Sequence, residues 1–163
     1  MKTKRAQASC AHRNGGSSVK TAIVYYSRHH GNTKKLVEAI AAAYSVTLID
    51  VTEDPKAEVF GFDRIGLASG IYYSSFAKPL LAWAEARLPE GTDVFFLSTQ
   101  GNPAGRYFRA IRKIARQKNC RELGCYGCLG FDTFGPFKLV GGISKGHPTQ
   151  DEIDAAVRFY GDL

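Results

Sequence analysis

The fold is decided by residues 21–33, Thr21-Ala22-Ile23-Val24-Tyr25-Tyr26-Ser27-Arg28-His29-His30-Gly31-Asn32-Thr33. The first six residues of this stretch form an unbroken apolar, β-rich run, which is typical of a strand buried on both faces of a parallel sheet. Apolar residues then recur at helical spacing from Leu36 to Tyr44. The sequence therefore predicts a buried strand, a short polar loop and an amphipathic helix, in that order.

The same alternation continues to the end of the chain. Further strands are predicted at 46–51, 63–69, 94–97 and 122–131. Helices are predicted at 78–88 and 104–118, and a closing helix begins at Thr149-Gln150-Asp151-Glu152, a capping box with acids in its first turn. Strands that alternate with helices indicate an α/β fold, here a doubly wound five-stranded parallel sheet with helices on both faces. Its ligand crevice is expected at the carboxyl ends of the strands.

The chain length and the charge distribution limit the classes of function. A chain of 163 residues favours one domain, expected at 19–163 after a flexible basic lead at 1–18. The net charge is +7, and five of these charges come from Lys2, Lys4, Arg5, Arg13 and Lys20. Subtracting these five leaves about +2 for the rest, so we predict no nucleic-acid partner. No apolar run approaches the roughly 20 residues that span a bilayer, so we predict no membrane association and a cytoplasmic protein.

Three cysteines, Cys120, Cys125 and Cys128, have the spacing of a plant-type iron–sulfur motif. No fourth cysteine follows them, and residues three apart on a strand face opposite sides of a sheet. We therefore interpret them as ordinary free thiols, as expected in a reducing compartment. The adjacent pair His29 and His30 lacks further ligands in view, so no metal site is predicted.

Polar and small residues follow the first strand. In Ser27–Thr33, hydroxyl and amide side chains beside a glycine allow the backbone to fold round an anion, with the free N–H groups of the helix start directed at it. The spacing matches neither the Walker loop nor the G-x-G-x-x-G dinucleotide motif. A tyrosine phosphatase loop would need a cysteine nucleophile, and this loop contains none.

The loop sequences together resemble the flavodoxin family. The stretch 27–33 is similar to the family's phosphate-binding loop, and Ala68-Ser69-Gly70-Ile71-Tyr72-Tyr73 is similar to the loop over one flavin face. Ser98-Thr99-Gln100-Gly101-Asn102 is similar to the loop at the flavin pyrimidine. The segments 130–137 and 145–148 resemble a compact bacterial and archaeal branch of the family. The resemblance covers Val19 to Leu163.

The resemblance implies a sheet in the order 2-1-3-4-5 and a bound flavin mononucleotide (FMN). The residues implied at the FMN phosphate are Ser27, His29, His30, Gly31, Asn32 and Thr33. Those implied along the isoalloxazine are Ser69, Gly70, Ile71 and Tyr72, and those at its edge are Ser98, Thr99, Gln100 and Gly101. The loop after the fourth strand departs from the family in having no aromatic residue, so stacking is expected from Tyr72 or Tyr73.

The resemblance implies a monomeric FMN electron carrier that docks transiently with redox proteins, without catalytic residues of its own. The alternative is an FMN oxidoreductase that acts directly on a quinone or on a protoporphyrinogen-type substrate. A flavin-free binding module would leave the three matching loops without a role. The predicted third helix carries five cations, which we interpret as a solvated face rather than as a docking surface for an acidic partner; they are Arg106, Arg109, Arg112, Lys113 and Arg116.

Overall fold

The computed structural model of the chain describes residues 19–28, 30–102, 106–133 and 139–163. The predicted basic lead at 1–18 lies outside the described residues, as do His29, Ala104 and residues 134–138.

Strands and helices alternate along the described chain. The strands are β1 (Thr21–Tyr26), β2 (Val46–Asp50), β3 (Arg64–Tyr72), β4 (Ser75–Phe76), β5 (Asp93–Gln100) and β6 (Arg121–Leu129). The helices are α1 (Asn32–Ala43), α2 (Lys78–Arg87), α3 (Arg109–Gln117) and α4 (Gln150–Gly161). Five parallel strands lie in the order β2-β1-β3-β5-β6, which confirms the predicted sheet order. The short β4, which was not predicted, pairs antiparallel with the end of β3.

Strand β1 is apolar throughout because both of its faces are covered. Ala22 and Val24 belong to one core, which α2 and α3 cover. Ile23 and Tyr25 belong to a second core, which α1 and α4 cover. Alternate side chains of one strand thus enter opposite cores, which is the double winding predicted from the sequence.

Two strands extend further than predicted, toward the edge where a ligand would bind. Strand β3 continues to Tyr72 because Ile71 and Tyr72 pair with β4. Strand β5 continues to Gln100 because its last residues pair with β6, for example Thr99 with Cys128. The residues predicted as loops after the third and fourth strands are therefore largely strand residues, which makes their positions more rigid.

The helices differ from the prediction mainly at α3. This helix begins at Arg109, five residues later than predicted, and Arg106 and Tyr107 precede it in a turn. The capping box at the start of α4 is confirmed, because the Thr149 side chain accepts from the Glu152 N–H and the Glu152 carboxylate accepts from the Thr149 N–H.

The cysteines of β6 cannot meet at one cluster, because Cys125 packs against the core under α2 and α3 while Cys128 packs beside Leu36 and Ala156 on the other face. Within the described residues, no three His, Cys, Asp or Glu side chains are grouped to hold a metal ion. In the same part of the chain, no helix is long and apolar enough to cross a bilayer.

Candidate functional site

A cleft opens at the carboxyl edge of the sheet. Its enclosed volume is only about 30 Å³, so it is an open groove rather than a closed pocket. The cleft is lined by Ser27, Asn32, Thr33, Gly70, Ile71, Tyr72, Thr99, Gln100, Gly101, Gly130, Phe131 and Asp132. These residues come from the ends of four adjacent parallel strands and from the start of α1, the place where doubly wound sheets bind ligands.

The start of α1 presents free donors to this cleft. Gly31 precedes the helix in the left-handed conformation, with φ 65°, and no side chain caps the helix. The N–H groups of Asn32 and Thr33 have no acceptor among the described residues, whereas the N–H of Lys34 donates to Ser27 Oγ at 3.2 Å. The first turn contains no acid. Such an uncapped helix start attracts an anion through its donors and through the helix dipole.

Asn32 adds an unsatisfied acceptor to the cleft wall. Its Nδ2 donates to the carbonyl oxygen of Phe131 at 2.8 Å, which holds the amide against the chain that follows β6. Its Oδ1 is buried and has no donor among the described residues. A Cβ at Gly130 would lie 2.8 Å from Asn32 Nδ2, so only glycine leaves room for this contact. Because buried polar atoms are normally paired, Oδ1 is suited to accept from a ligand hydroxyl.

The floor of the cleft is joined by two threonines. Thr33 Oγ1 lies 2.8 Å from Thr99 Oγ1, and both side chains are buried. Each hydroxyl can still use its remaining donor or acceptor capacity toward the cleft. The pair therefore connects the start of α1 with the end of β5 within the cleft lining.

Tyr72 forms the aromatic part of the cleft. Its ring packs edge-on against Tyr26, with the centroids 5.7 Å apart, and its hydroxyl would lie 3.2 Å from a Cβ at Gly70. The carbonyl oxygen of Gly70 accepts from Ser69 Oγ at 2.6 Å. The neighbouring Tyr73 is 85% exposed at the tip of the β3–β4 turn. Tyr72 thus faces the cleft, whereas Tyr73 faces the solvent.

A family model described as a flavodoxin domain matches residues 23–118, more than half of the chain. The chain belongs to the flavodoxin family. The matched region includes α1, the cleft-lining ends of β3 and β5, and all of α3.

Known proteins agree with this assignment. An uncharacterized protein of Methanocaldococcus jannaschii is 31% identical over 143 residues, which cover 86% of this flavodoxin-family chain and 95% of that protein. A flavodoxin mutant from Fusobacterium nucleatum, solved with bound FMN, has a TM-score of 0.64 at 16% identity and covers 90% of this chain and 96% of its own. A WrbA-like flavodoxin from Agrobacterium tumefaciens has a TM-score of 0.58 at 16% identity, with 88% and 93% covered. At these low identities the two structures show the shared flavodoxin fold.

Nine of the fourteen predicted site residues line the cleft of this flavodoxin-family chain. Four others lie elsewhere: Gly31 forms the turn before α1, and His30 is exposed and bonds Thr133 Oγ1 at 2.9 Å. Ser69 is buried and accepts from the Ala77 N–H at 3.0 Å, and Ser98 is buried and donates to Gln100 Oε1 at 2.8 Å. His29, the fourteenth, lies outside the described residues.

The sequence did not predict three of the cleft residues, Gly130, Phe131 and Asp132. They directly follow β6, so the rule that ligands bind beyond the carboxyl ends of strands would have found them. The N–H of Asp132 donates to the Ile143 carbonyl at 3.0 Å, and its carboxylate lies against Gly101. Among the described lining residues, Asp132 has the one charged side chain, so it places a negative charge on this side of the cleft.

Glu152 supports this side of the cleft from α4. Its carboxylate accepts from the N–H of Thr149 at 2.7 Å and from that of Leu129 at 3.4 Å, and it contacts His147 Nδ1 at 2.7 Å. Burial raises the pKa of this carboxyl, but these hydrogen bonds and the nearby imidazole outweigh burial, so the pKa of Glu152 lies below its ordinary value. The ionised carboxylate thereby joins β6 and the start of α4.

Proposed function

We propose that this chain binds FMN in the cleft and carries electrons between redox proteins. One observation carries the proposal: the uncapped start of α1, with the free N–H groups of Asn32 and Thr33, opens onto the same cleft as the polar ends of β3 and β5. A phosphate suits the helix start, and a flat polar heterocycle suits the groove between the strand ends. Family membership supports FMN as the group that has both parts.

The residues present fit this cofactor. The N–H groups at the start of α1 would hold the phosphate, and Ser27 would keep the loop in place through its bond to the Lys34 N–H. The buried Oδ1 of Asn32, an unsatisfied acceptor among the described residues, would accept from a ribityl hydroxyl. When bound, the isoalloxazine ring supplies the redox chemistry.

The remaining lining residues would position the ring and set its surroundings. Gln100 and Gly101 lie at the end of β5, where an amide side chain and backbone groups would bond the polar edge of the ring. Tyr72 would provide the aromatic surface beside it, in keeping with its place against Tyr26. Asp132 would place a negative charge near the ring, which disfavours a reduced, anionic form and so lowers its reduction potential.

We further propose that the protein works as a cytoplasmic monomer that docks transiently with its redox partners. The flavodoxins among the similar structures support a carrier. The alternative, an FMN oxidoreductase with a small substrate, would need that substrate to reach the ring directly. The carrier and the enzyme therefore differ in what accepts the electrons, and this difference can be measured.

The first experiment is a titration of the apoprotein with FMN, followed by the quenching of flavin fluorescence. The loaded protein is then reduced stepwise with dithionite under anaerobic conditions while its visible absorption is recorded. Saturable uptake at one site, with a long-wavelength band that rises and falls during reduction, would support a one-electron carrier. No uptake would refute the proposal, and rapid NADH-dependent turnover of a soluble quinone would favour the enzyme instead.

A further inference from the structure

A second depression lies beside the cleft, along α3. It is a groove of about 630 Å³ lined by Ser74, Ser75, Arg106, Arg109, Ala110, Lys113 and Arg116. We call these seven residues the basic groove. Its four cations follow each other at intervals of three, four and three residues, so they share one side of α3 and of the turn before it.

The cations of the basic groove are not neutralised within the protein. Among the described residues, no hydrogen bond or ion pair is made by the side chains of Arg106, Arg109, Lys113 or Arg116, and all four are exposed. Arg112 on the same helix behaves differently, because its guanidinium forms a two-armed ion pair with Glu122 at 2.7–3.0 Å. Like charges three and four residues apart destabilise a helix, so this arrangement of cations does not contribute to the stability of the fold.

The basic groove begins where the cleft ends. Ser74 and Ser75 follow Tyr72, a cleft residue, through the turn that carries Tyr73. On the other side, Arg106 lies five residues after Gly101, also a cleft residue. The carboxyl ends of β3 and β5 thus line the cleft, and described residues shortly after each of them line the basic groove. A protein bound in the basic groove would therefore lie next to a ligand bound in the cleft.

We propose that the basic groove docks an acidic redox protein and orients its redox centre toward the cleft; this inference rests on the proposed function. From Arg109 to Arg116 the cations extend over about 10 Å of helix, which is too long for one small anion to contact and suits an acidic surface. Complementary charge steers the encounter and fixes the orientation of the partner. The exposed ring of Tyr73, which directly follows the cleft residue Tyr72, adds apolar contact area.

The proposal is tested with a charge-reversal pair and a matched control. The test variant is Arg109→Glu with Lys113→Glu, and the control is Lys20→Glu with Arg158→Glu. The control changes the net charge by the same amount, at the amino end of β1 and on α4, which covers the opposite face of the sheet. All four side chains are exposed, so neither variant should disturb the core. Circular dichroism confirms that both remain folded.

The probe is an oxidised plant-type [2Fe–2S] ferredoxin, an acidic one-electron carrier, labelled for fluorescence anisotropy. We expect the wild type to bind it at low ionic strength and to release it as NaCl is raised. The affinity of the test variant should fall at least tenfold, and that of the control should stay within threefold of the wild type. An equal loss in both variants, or no binding by the wild type, would overturn the proposal. So would tighter binding of a DNA oligonucleotide than of the ferredoxin at equal salt.

A second measurement separates this inference from the proposed function. Both variants should take up FMN as the wild type does, because neither altered pair lines the cleft. In stopped flow, one electron then passes from the reduced cluster of the ferredoxin to the bound flavin, and this rate should fall at least tenfold in the test variant alone. If the wild type takes up no FMN, the proposed function fails, but the anisotropy measurement of ferredoxin binding still tests docking at the basic groove. An unchanged rate in the test variant would refute docking at the basic groove.

Discussion

The hydroxyl of Thr33, in the first turn of α1, lies 2.8 Å from the hydroxyl of Thr99, near the end of β5. These residues are 66 positions apart in the sequence, and both are buried. The contact therefore fixes the helix start, with its free N–H groups, relative to the strand end that forms the other wall of the cleft. A change at either threonine should affect both stability and cofactor binding.

Replacing Thr33 by valine should destabilise the apoprotein by about 1–3 kcal/mol, because the hydroxyl of Thr99 is then buried without a partner. The double variant Thr33→Val with Thr99→Val should be less destabilised than the sum of the two single variants, since no unpaired hydroxyl remains. Urea unfolding of the four proteins measures this coupling. Strict additivity would show that the two hydroxyls do not depend on each other.

Replacing Gly130 by alanine should weaken FMN binding about tenfold or more. The added Cβ would lie 2.8 Å from Asn32 Nδ2, so the amide must leave the Phe131 carbonyl and its place in the cleft wall. Fluorescence titration with FMN gives the change in affinity.

The control for this variant is Gly124→Ala in β6, the strand that Gly130 follows; there the added Cβ meets Phe159 at 3.1 Å, away from the cleft. It tests the cost of adding a methyl group to this part of the chain without moving Asn32. Equal FMN affinities for the two alanine variants would contradict the role of Asn32 in the site.

The sequence was most informative where burial alone determines the pattern. Strand β1 was predicted with its observed bounds, because a strand covered on both faces is continuously apolar. The end of β5 was missed, because Ser98, Thr99 and Gln100 have the composition of a turn. What makes them strand is their pairing with Gly127, Cys128 and Leu129 of β6, and a local pattern does not contain that information.

The candidate site was predictable to the extent that it follows from strand order. Ser27 and Asn32 were found because they follow a buried strand. Ser69 was assigned to the flavin face with Gly70, although neighbours on a strand point to opposite sides, and its side chain is buried toward Ala77. Asp132 was missed because site residues were predicted only after the first, third and fourth strands, whereas the residues that follow β6 line the same cleft.

Replacing Glu152 by glutamine should reduce the acid sensitivity of the fold. The pKa of this carboxyl is lower in the folded protein than its ordinary value of 4.5, so the folded state binds fewer protons than the unfolded state. Its contribution is therefore fully present above pH 4.5 and is lost as the pH falls through the folded pKa. Urea unfolding from pH 6 to pH 3 should show a shallower loss of stability in the variant.

The matched control is Glu38→Gln, an exposed residue of α1 that forms a long i,i+4 ion pair with Lys34 at 3.8 Å. Its loss should leave the acid dependence close to that of the wild type, because exposed pairs contribute little. Parallel curves for the wild type and Glu152→Gln below pH 4.5 would show that the hydrogen bonds to Glu152 do not favour its ionised form.

Cys128 should resist alkylation by iodoacetamide at pH 8 in the native protein. Burial raises the pKa of its thiol to about 12, with the Glu152 carboxylate acting in the same direction, so the thiol is almost entirely protonated at pH 8. Mass spectrometry should find Cys128 unmodified before unfolding and modified in guanidinium chloride.

Leu36 packs against Cys128, so Leu36→Ala should open this site and increase the native alkylation rate. Leu80→Ala, an equal truncation in the core under α2 and α3, controls for global destabilisation. Rapid labelling of Cys128 in the native wild type would contradict its burial between β6, α1 and α4.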